Sequence, residues 1–499
     1  MKEKIIQDFC EVLNTFFNET GSLEITRDYF IKKSKFKRKY EKYFTFSELK
    51  QKYSKIKDIP LTNKKRFIIS SIVANSKNDN NFLNALLRYC LENNAQLLLV
   101  PIKGVNKEFN FDKEVIEAWG KYFVKNIDFN SNLRLINAGI TANNRNPLYR
   151  LKELGHKGYS VIVGACKQRM EIIPSLKTGK THLIYSTGTV SYPNYKDNIT
   201  GYLNEENNKL GALVVEVIDD TFFNIRNVQW VNNSFVDLNK RYYFEKVEPV
   251  SAAAIVAGDL HISGDEDPEA LKILKEQIKF LKTKKLFIHD LASHNSINHH
   301  ESENSILSAR NILTLEEEHK YISNWLKKWT KDIKEVELIC VASNHNDWLY
   351  QYLANRKTWL YDKINTKYAS SLYSIALEGK DPFEYAIKKM IEPDLKIKFL
   401  KRSDSYKIGG YELSMHGDKC NGMNKASLKQ LEESVGRLIC GHSHTPKILD
   451  NSYQVGTNTK IPLPYTKGTA NNWVHCNASI YDSGHVQLIM SFNGKWKIN

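Results

Sequence analysis

Five short stretches in the second half of this 499-residue chain set aspartate, asparagine or histidine directly after an apolar run. They are Gly258-Asp259-Leu260-His261, His289-Asp290, Ser343-Asn344-His345, His416-Gly417-Asp418 and Gly441-His442-Ser443-His444. Carboxylate oxygen, imidazole nitrogen and the Asn carbonyl oxygen are ligands that hard and borderline divalent cations accept, and two such cations can drive phosphate ester hydrolysis. One such cluster alone means little, because a buried His beside a strand is more often a hydrogen-bonded core residue. Five in order, finishing on Gly-His-Ser-His, point to a single two-metal site.

The residues ahead of each cluster read as strands. Apolar runs at 251–257, 285–288, 337–342, 411–415 and 437–440 each lead into one group, with helical stretches at 270–282 and 315–331 between them. The candidate ligands therefore fall at the carboxyl ends of successive strands, where open α/β sheets place their sites.

Upstream the pattern is similar but carries no comparable ligands. Strand-like runs at 67–73, 96–102, 133–136, 160–163, 182–185 and 213–218, with an amphipathic stretch at 82–91, predict an α/β domain over 66–248. Thr178-Gly179-Lys180-Thr181 has the look of a phosphate-binding loop ending, but Pro174 stands where the leading glycine belongs, and proline cannot supply that backbone cradle. No internal repeat or long low-complexity linker is evident, and Glu248-Pro249 marks a boundary. Residues 1–65 read as a small basic helical module, with a helix-turn-helix as one form of it. Lys32, Lys33, Lys35, Lys37, Arg38 and Lys39 alternate there with Tyr and Phe, as candidate DNA contacts or as a solvated face.

Lys and Arg total 72 against 56 Asp and Glu, a net charge of +16 that favours a polyanionic partner. Seven cysteines without a C-x-x-C pair do not form a complete disulfide framework, and no leader or membrane-length apolar run is evident, so a cytoplasmic protein is expected.

The ordered motifs resemble the calcineurin-like metallophosphoesterases, whose pattern runs D-x-H, G-D-x-x-D, G-N-H-D/E, H and G-H-x-H. The resemblance spans about 245 residues and implies a four-layer αββα sandwich over 249–499, preceded by the α/β domain and the basic helical module. It further implies one metal held by Asp259, His261, Asp290 and His444, and a second by Asp290, Asn344, His416 and His442, with Asp290 bridging. His345 resembles the family histidine that stabilises or protonates the leaving oxygen, which is general acid catalysis. The oxygen and nitrogen ligand set without thiolate suits Mn²⁺ best, with Mg²⁺, Fe or Zn²⁺ as alternatives.

The sequence departs from that pattern. His289 replaces the usual glycine and His294 the usual second aspartate of the second motif, Ser343 replaces the glycine of the third, and Asp347 is displaced by one position. His289, His294, His299 and His300 are extra imidazoles for substrate contact or ligand support, or else exposed loop residues. Asp418 would orient His416 or cap a turn. His289-Asp290 to His299-His300, with Asn344 to Trp348, more specifically resemble bacteriophage-encoded nucleases of the superfamily, implying a DNA substrate inside an infected bacterium. The expected function is thus a metal-dependent DNase. A phosphomonoesterase or phosphoprotein phosphatase with the same centre, and a DNA- or host-factor-binding protein with a non-catalytic metal site, are the alternatives. The sequence leaves oligomeric state open, a homo-oligomer included.

Overall fold

The computed structural model describes residues 64–155, 158–175, 181–298, 313–420, 426–463 and 469–498. The basic module expected at 1–65, with Lys32 to Lys39, therefore falls outside the described residues save for its last two positions. The Thr-Gly-Lys stretch, His299 and His300 also lie outside them. The described chain is mixed α/β with several sheets. It divides into two compact units, one drawn chiefly from residues up to 248 and the other from 249–496.

In the first unit the Arg66–Val73 strand is buried along all but its first residue, because a run of apolar and small side chains packs on both faces. It pairs in parallel with Ala95–Ile102 through the helix Asn80–Asn93. That helix starts where the Asp79 carboxylate accepts from Phe82 N and ends on left-handed Asn94, and it buries Phe82, Leu83, Ala85, Leu86 and Tyr89. Gly211–Val217 and then Phe223–Gln229 continue the sheet antiparallel on the other side. A second sheet runs in the order Ile127–Asn130, Leu133–Ile136, Ser160–Val163, His182–Ser186, Met170–Ile173, with the three middle strands parallel and the outer two antiparallel to their neighbours. Arg226 is buried in this unit, forked onto Asp237 at 2.9 and 3.1 Å and paired with Glu216 at 2.9 Å.

The second unit has a six-stranded sheet in the order Val486–Met490, Cys476–Ile480, Ala254–Val256, Lys285–Ile288, Glu337–Cys340, Ile397–Phe399. The last four strands are parallel, and the first two form a hairpin antiparallel to Ala254–Val256. The helix Pro268–Leu281 links the first two parallel strands, capped by Asp267 and ended by left-handed Lys282. Its second sheet runs Lys407–Ile408, Tyr411–Glu412, Leu438–Cys440, Ser452–Gln454, Lys447–Leu449, again with three parallel strands in the middle.

The strands expected at 133–136, 160–163 and 285–288 occupy those residues. The strand expected over 411–415 stops at Glu412. Its carboxylate accepts from the backbone N of Ser414 at 3.1 Å, which takes that donor out of the ladder, while Leu413 N still reaches Tyr406 O at 2.9 Å.

Candidate metal centre

Each expected ligand stands just beyond a strand of the second unit, and the backbone there bends sharply. His261, Asp290, His442 and His444 all adopt positive φ (49°, 43°, 74° and 58°), a left-handed conformation that costs non-glycine residues about 1–2 kcal/mol each. The surrounding hydrogen bonds hold them there. Leu260 N and His261 N donate to the carbonyls of His289 and Asp290 at 3.1 and 2.8 Å, so the first two motifs are tied together directly. Gly441 is required by the close approach of its neighbours: a Cβ at that position would lie 2.3 Å from Asp259 Oδ1 and 3.0 Å from the His289 ring.

The ligand atoms of Asp259, His261, Asp290 and His444 all lie within 4.8 Å of one another, and all four residues are buried. Asp290 Oδ2 is 3.5 Å from His261 Nε2 and 3.2 Å from His416 Nε2, so this carboxylate sits between two groups of nitrogen donors. His416 Nε2 also lies 3.0 Å from Asn344 Oδ1. Asp259, His289 and His416 converge within the same 4.8 Å. There, however, His416 presents Nδ1 to His289 Nδ1 at 3.3 Å, leaving Nε2 for Asp290 and Asn344. His289 thus backs the His416 ring at Nδ1 rather than competing for its Nε2 donor atom. His442 donates its backbone N–H to Asp259 Oδ1 at 3.2 Å, and its ring lies 5.1 Å from that of His416.

The buried His and Asp donors fit a metal site. Asp290 Oδ1 and His444 Nδ1 are buried without a hydrogen-bond partner, an arrangement that costs free energy unless a cation or water compensates it, and Asp259 Oδ2 faces only His444 Nε2, at 3.1 Å. His261 Nε2 and His444 Nε2 face each other at 3.1 Å, as two ring nitrogens converging on one ion would. Burial pushes the His261 and His289 imidazoles down to about 3 and about 4, so both are neutral, the form that binds metal. Burial also opposes charge on His416, yet Asp290 and Asp259 carry it up to about 9. Burial works to raise Asp259, but its hydrogen bond and charge interaction with His444 bring it down to about 2.

His345 opens the helix Asn344–Ala354, which Ser343 caps by accepting from Asn346 N. Its Nδ1–H donates to Ser293 O at 2.6 Å, leaving Nε2 as the free ring nitrogen, and the ring lies 4.5 Å from His261 and 4.0 Å from Trp348. Asn344, His345 and His442 are half-buried, so the centre is open on that side.

His294 is fully buried. It donates from Nδ1 to the His345 carbonyl at 2.6 Å, and its Nε2 meets His319 Nε2 at 3.2 Å, with His319 Nδ1 2.9 Å from the Tyr368 hydroxyl. His294 therefore supports the backbone of His345 from the interior. Asp418 pairs with Arg402, whose guanidinium reaches both carboxylate oxygens at 2.6 and 2.8 Å and Asp347 at 3.1 Å. Lys419 also pairs with Asp347. Sequence reasoning did not single out His319, Tyr368 or Arg402. His319 sits in a Glu-Glu-Glu-His-Lys helix start that reads as a solvated face, and only the tertiary packing buries it.

No family model matches the chain. The chain is similar to Protein A1 of Escherichia phage T5, with 28% identity over 476 residues, 87% of this chain and 83% of that protein. The phage relationship that the motifs implied is thus found along most of both chains. The solved Pseudomonas putida nuclease MPE aligns at 11% identity with a TM-score of 0.24, over 55% of this chain and 95% of that one. Among the described residues, no helix is long and apolar enough to cross a membrane.

Proposed function

We propose that the chain is a metal-dependent phosphodiesterase that hydrolyses DNA, acting in the cytoplasm of a phage-infected bacterium. The observation that carries this reading is the Asp290 carboxylate, set between His261 and His416 with one buried oxygen left without a partner. On this reading residues 249–499 form the four-layer sandwich, and the two sheets of the second unit would be its inner layers. Asp259, His261, Asp290 and His444 would hold one cation, and Asp290, Asn344, His416 and His442 the other, with Mn²⁺ the best match to the donors. Such a cation pair supplies Lewis acidity and a water acidic enough to attack phosphorus near neutral pH.

The protein's own groups do the rest. His345, oriented by its bond to Ser293 O, would give a proton from Nε2 to the leaving oxygen. His294 and His289 hold His345 and His416 in place. The net charge of +16 supports a polyanionic substrate. Lys32 to Lys39 would contact it, and the similarity to a phage protein supports the setting.

The test is incubation of purified protein with supercoiled and linear DNA, with and without Mn²⁺, beside His345→Ala. Nicking that needs both the metal and His345 is expected. Turnover of a generic phosphate monoester without nicking, at matched enzyme concentration, would replace the nuclease with a phosphatase. Undiminished activity in a folded metal-free protein would remove the catalytic reading altogether.

A further inference from the structure

The unit upstream of residue 249 reproduces the strand order of the metal-bearing unit. In the first sheet of each, a central strand has a parallel neighbour on one side, reached through a 14-residue helix, and a late antiparallel hairpin on the other. In the second sheet of each, a hairpin opens three parallel strands, and the third of these pairs antiparallel with the strand just before it in sequence.

The correspondence extends to single hydrogen bonds. Ser71 N donates to Gly188 O at 3.2 Å, and Asp259 N to Gly456 O at 3.2 Å. Val190 N returns to Ser71 O at 2.9 Å, and Asn458 N to Asp259 O at 2.8 Å. The hydroxyls of Thr189 and Thr457 donate to those same carbonyls, of Ser71 and Asp259, at 3.0 and 3.1 Å. The helix caps Asp79 and Asp267 donate from N to Val190 O and Asn458 O, both at 2.8 Å. Ala74 N reaches Ile102 O and Ile262 N reaches Leu291 O, each at 3.0 Å. Even the glycines agree. A Cβ on Gly164 would strike Val100, and one on Gly441 would crowd His289, where Val100 and His289 are counterparts.

We infer that residues 66–248 are a second copy of the phosphoesterase fold whose metal site has been replaced by a closed hydrogen-bonded core, so that the chain carries one catalytic and one metal-free copy. The hydrogen bonds at the strand ends assign the replacements. Ser71 stands for Asp259, Val73 for His261 and Pro101 for Asp290, the parallel ladders inside the two strand pairs running one residue out of step with each other. Ala138 stands for His416, beside Gly139, the counterpart of Gly417, and both glycines have positive φ. Ala165 and Lys167 stand for His442 and His444. A hydroxyl, two alanines, a valine, a proline and an ammonium are no ligand set for a divalent cation.

The space is sealed by other groups. The Ser71 hydroxyl donates to Gly188 O at 2.7 Å and lies 3.2 Å from Ala165 O, tying together the two strand ends that Asp259 and His442 occupy in the other copy. Gln168 Nε2 bonds three backbone carbonyls, and Lys167 is buried with its ammonium toward Arg145 O. None of the six replacements has a buried side-chain N or O atom without a partner, whereas Asp290 and His444 do. The first copy also lacks the segment that carries His345: after Val124 meets Leu99 O, as Val341 meets Ile288 O, the chain enters its second sheet at Ile127.

Metal content of the full-length protein tests this independently of any substrate. After Mn²⁺ loading and desalting, elemental analysis should give no more than about two ions per chain. The double variant Asp259→Asn, Asp290→Asn should lose them, and Lys167→Ala should leave the count unchanged. Circular dichroism would verify that each variant is folded. More than about two ions per chain, or ions that persist in the double variant and leave with Lys167→Ala, would overturn the inference. A protein that binds metal as stated but cuts no DNA would sink the proposed function and leave the duplication standing.

Discussion

Ser71 and Asp259 occupy the same rung of two matching sheets, and their surroundings differ in kind. The serine hydroxyl spends its hydrogen on backbone carbonyls, while the aspartate carboxylate faces the ring nitrogen of His444 at 3.1 Å, beside an Asp290 oxygen and a His444 nitrogen that are buried with no partner. The backbone ladders around them agree to within about a tenth of an ångström, so the architecture does not depend on the acid. What the acidic and imidazole side chains add is an electrostatic debt that only a cation or water can settle. Backbone pairing maintains this fold, and chemistry is installed at its strand ends at a cost in stability. In the metal-free copy that cost has been removed by satisfying the groups internally.

The sharpest way to break the comparison is at the bridging position. Asp290→Asn removes the charge between His261 and His416, so bound metal and phosphodiester hydrolysis should both fall, activity by roughly 10³-fold or more. At the counterpart, Pro101→Ala should alter neither metal content nor turnover. Metal retention by Asp290→Asn would mean that the bridging role belongs elsewhere.

His345→Ala tests the segment that the first copy lacks. With metal content unchanged, kcat should drop roughly 10²–10⁴-fold, and least for a substrate whose leaving group needs no proton, such as a nitrophenyl ester. An equal loss for both substrates would make His345 a positioning residue.

The converse experiment strikes the copy without metal. Arg226 is buried against Glu216 and Asp237, so Arg226→Met strands two carboxylates and should destabilise that unit by about 3–5 kcal/mol. Denaturant unfolding followed on this unit would read the loss. Burial pushes the Glu216 carboxyl up, but the guanidinium of Arg226 pulls it below its ordinary value. A depressed carboxylate stabilises the fold above its unfolded pKa and loses that contribution as pH falls through its folded value. Wild type should therefore weaken on acidification below about pH 4, and Glu216→Gln should weaken less over the same range.

Much of this was legible in the residues. The metal motifs announced themselves because Asp, His and Asn ended apolar runs, and the strands at 133–136, 160–163 and 285–288 were readable as short β-rich segments. The duplication was not, because it resides in register. Sequences such as Arg437-Leu438-Ile439-Cys440-Gly441-His442 and Ser160-Val161-Ile162-Val163-Gly164-Ala165 share only apolar character and one glycine, and any buried strand would match as well. His319 escaped for the opposite reason: its helix start is acidic and polar, so its burial beneath His294 depends on contacts from residues distant in sequence. The role of His289 likewise required seeing which nitrogen of His416 faced it.

The smallest effect compares the two helix caps. Asp79 accepts from Phe82 N, and Asp267 accepts from Glu269 N and Ala270 N, so alanine at either should cost about 1 kcal/mol of stability. Their backbone bonds to Val190 and Asn458 survive the change, which keeps the loops in register. The two positions should nevertheless separate in a metal titration. Asn458 N holds Asp259 O, so loosening the Asp267 turn loosens a ligand strand, and Mn²⁺ affinity should weaken by a few-fold in Asp267→Ala. Asp79→Ala leans on a site with no ligand to lose, and its affinity should equal wild type while its melting temperature falls by a similar amount. Equal metal affinity in both variants would show that the cap and the ligand strand are mechanically independent.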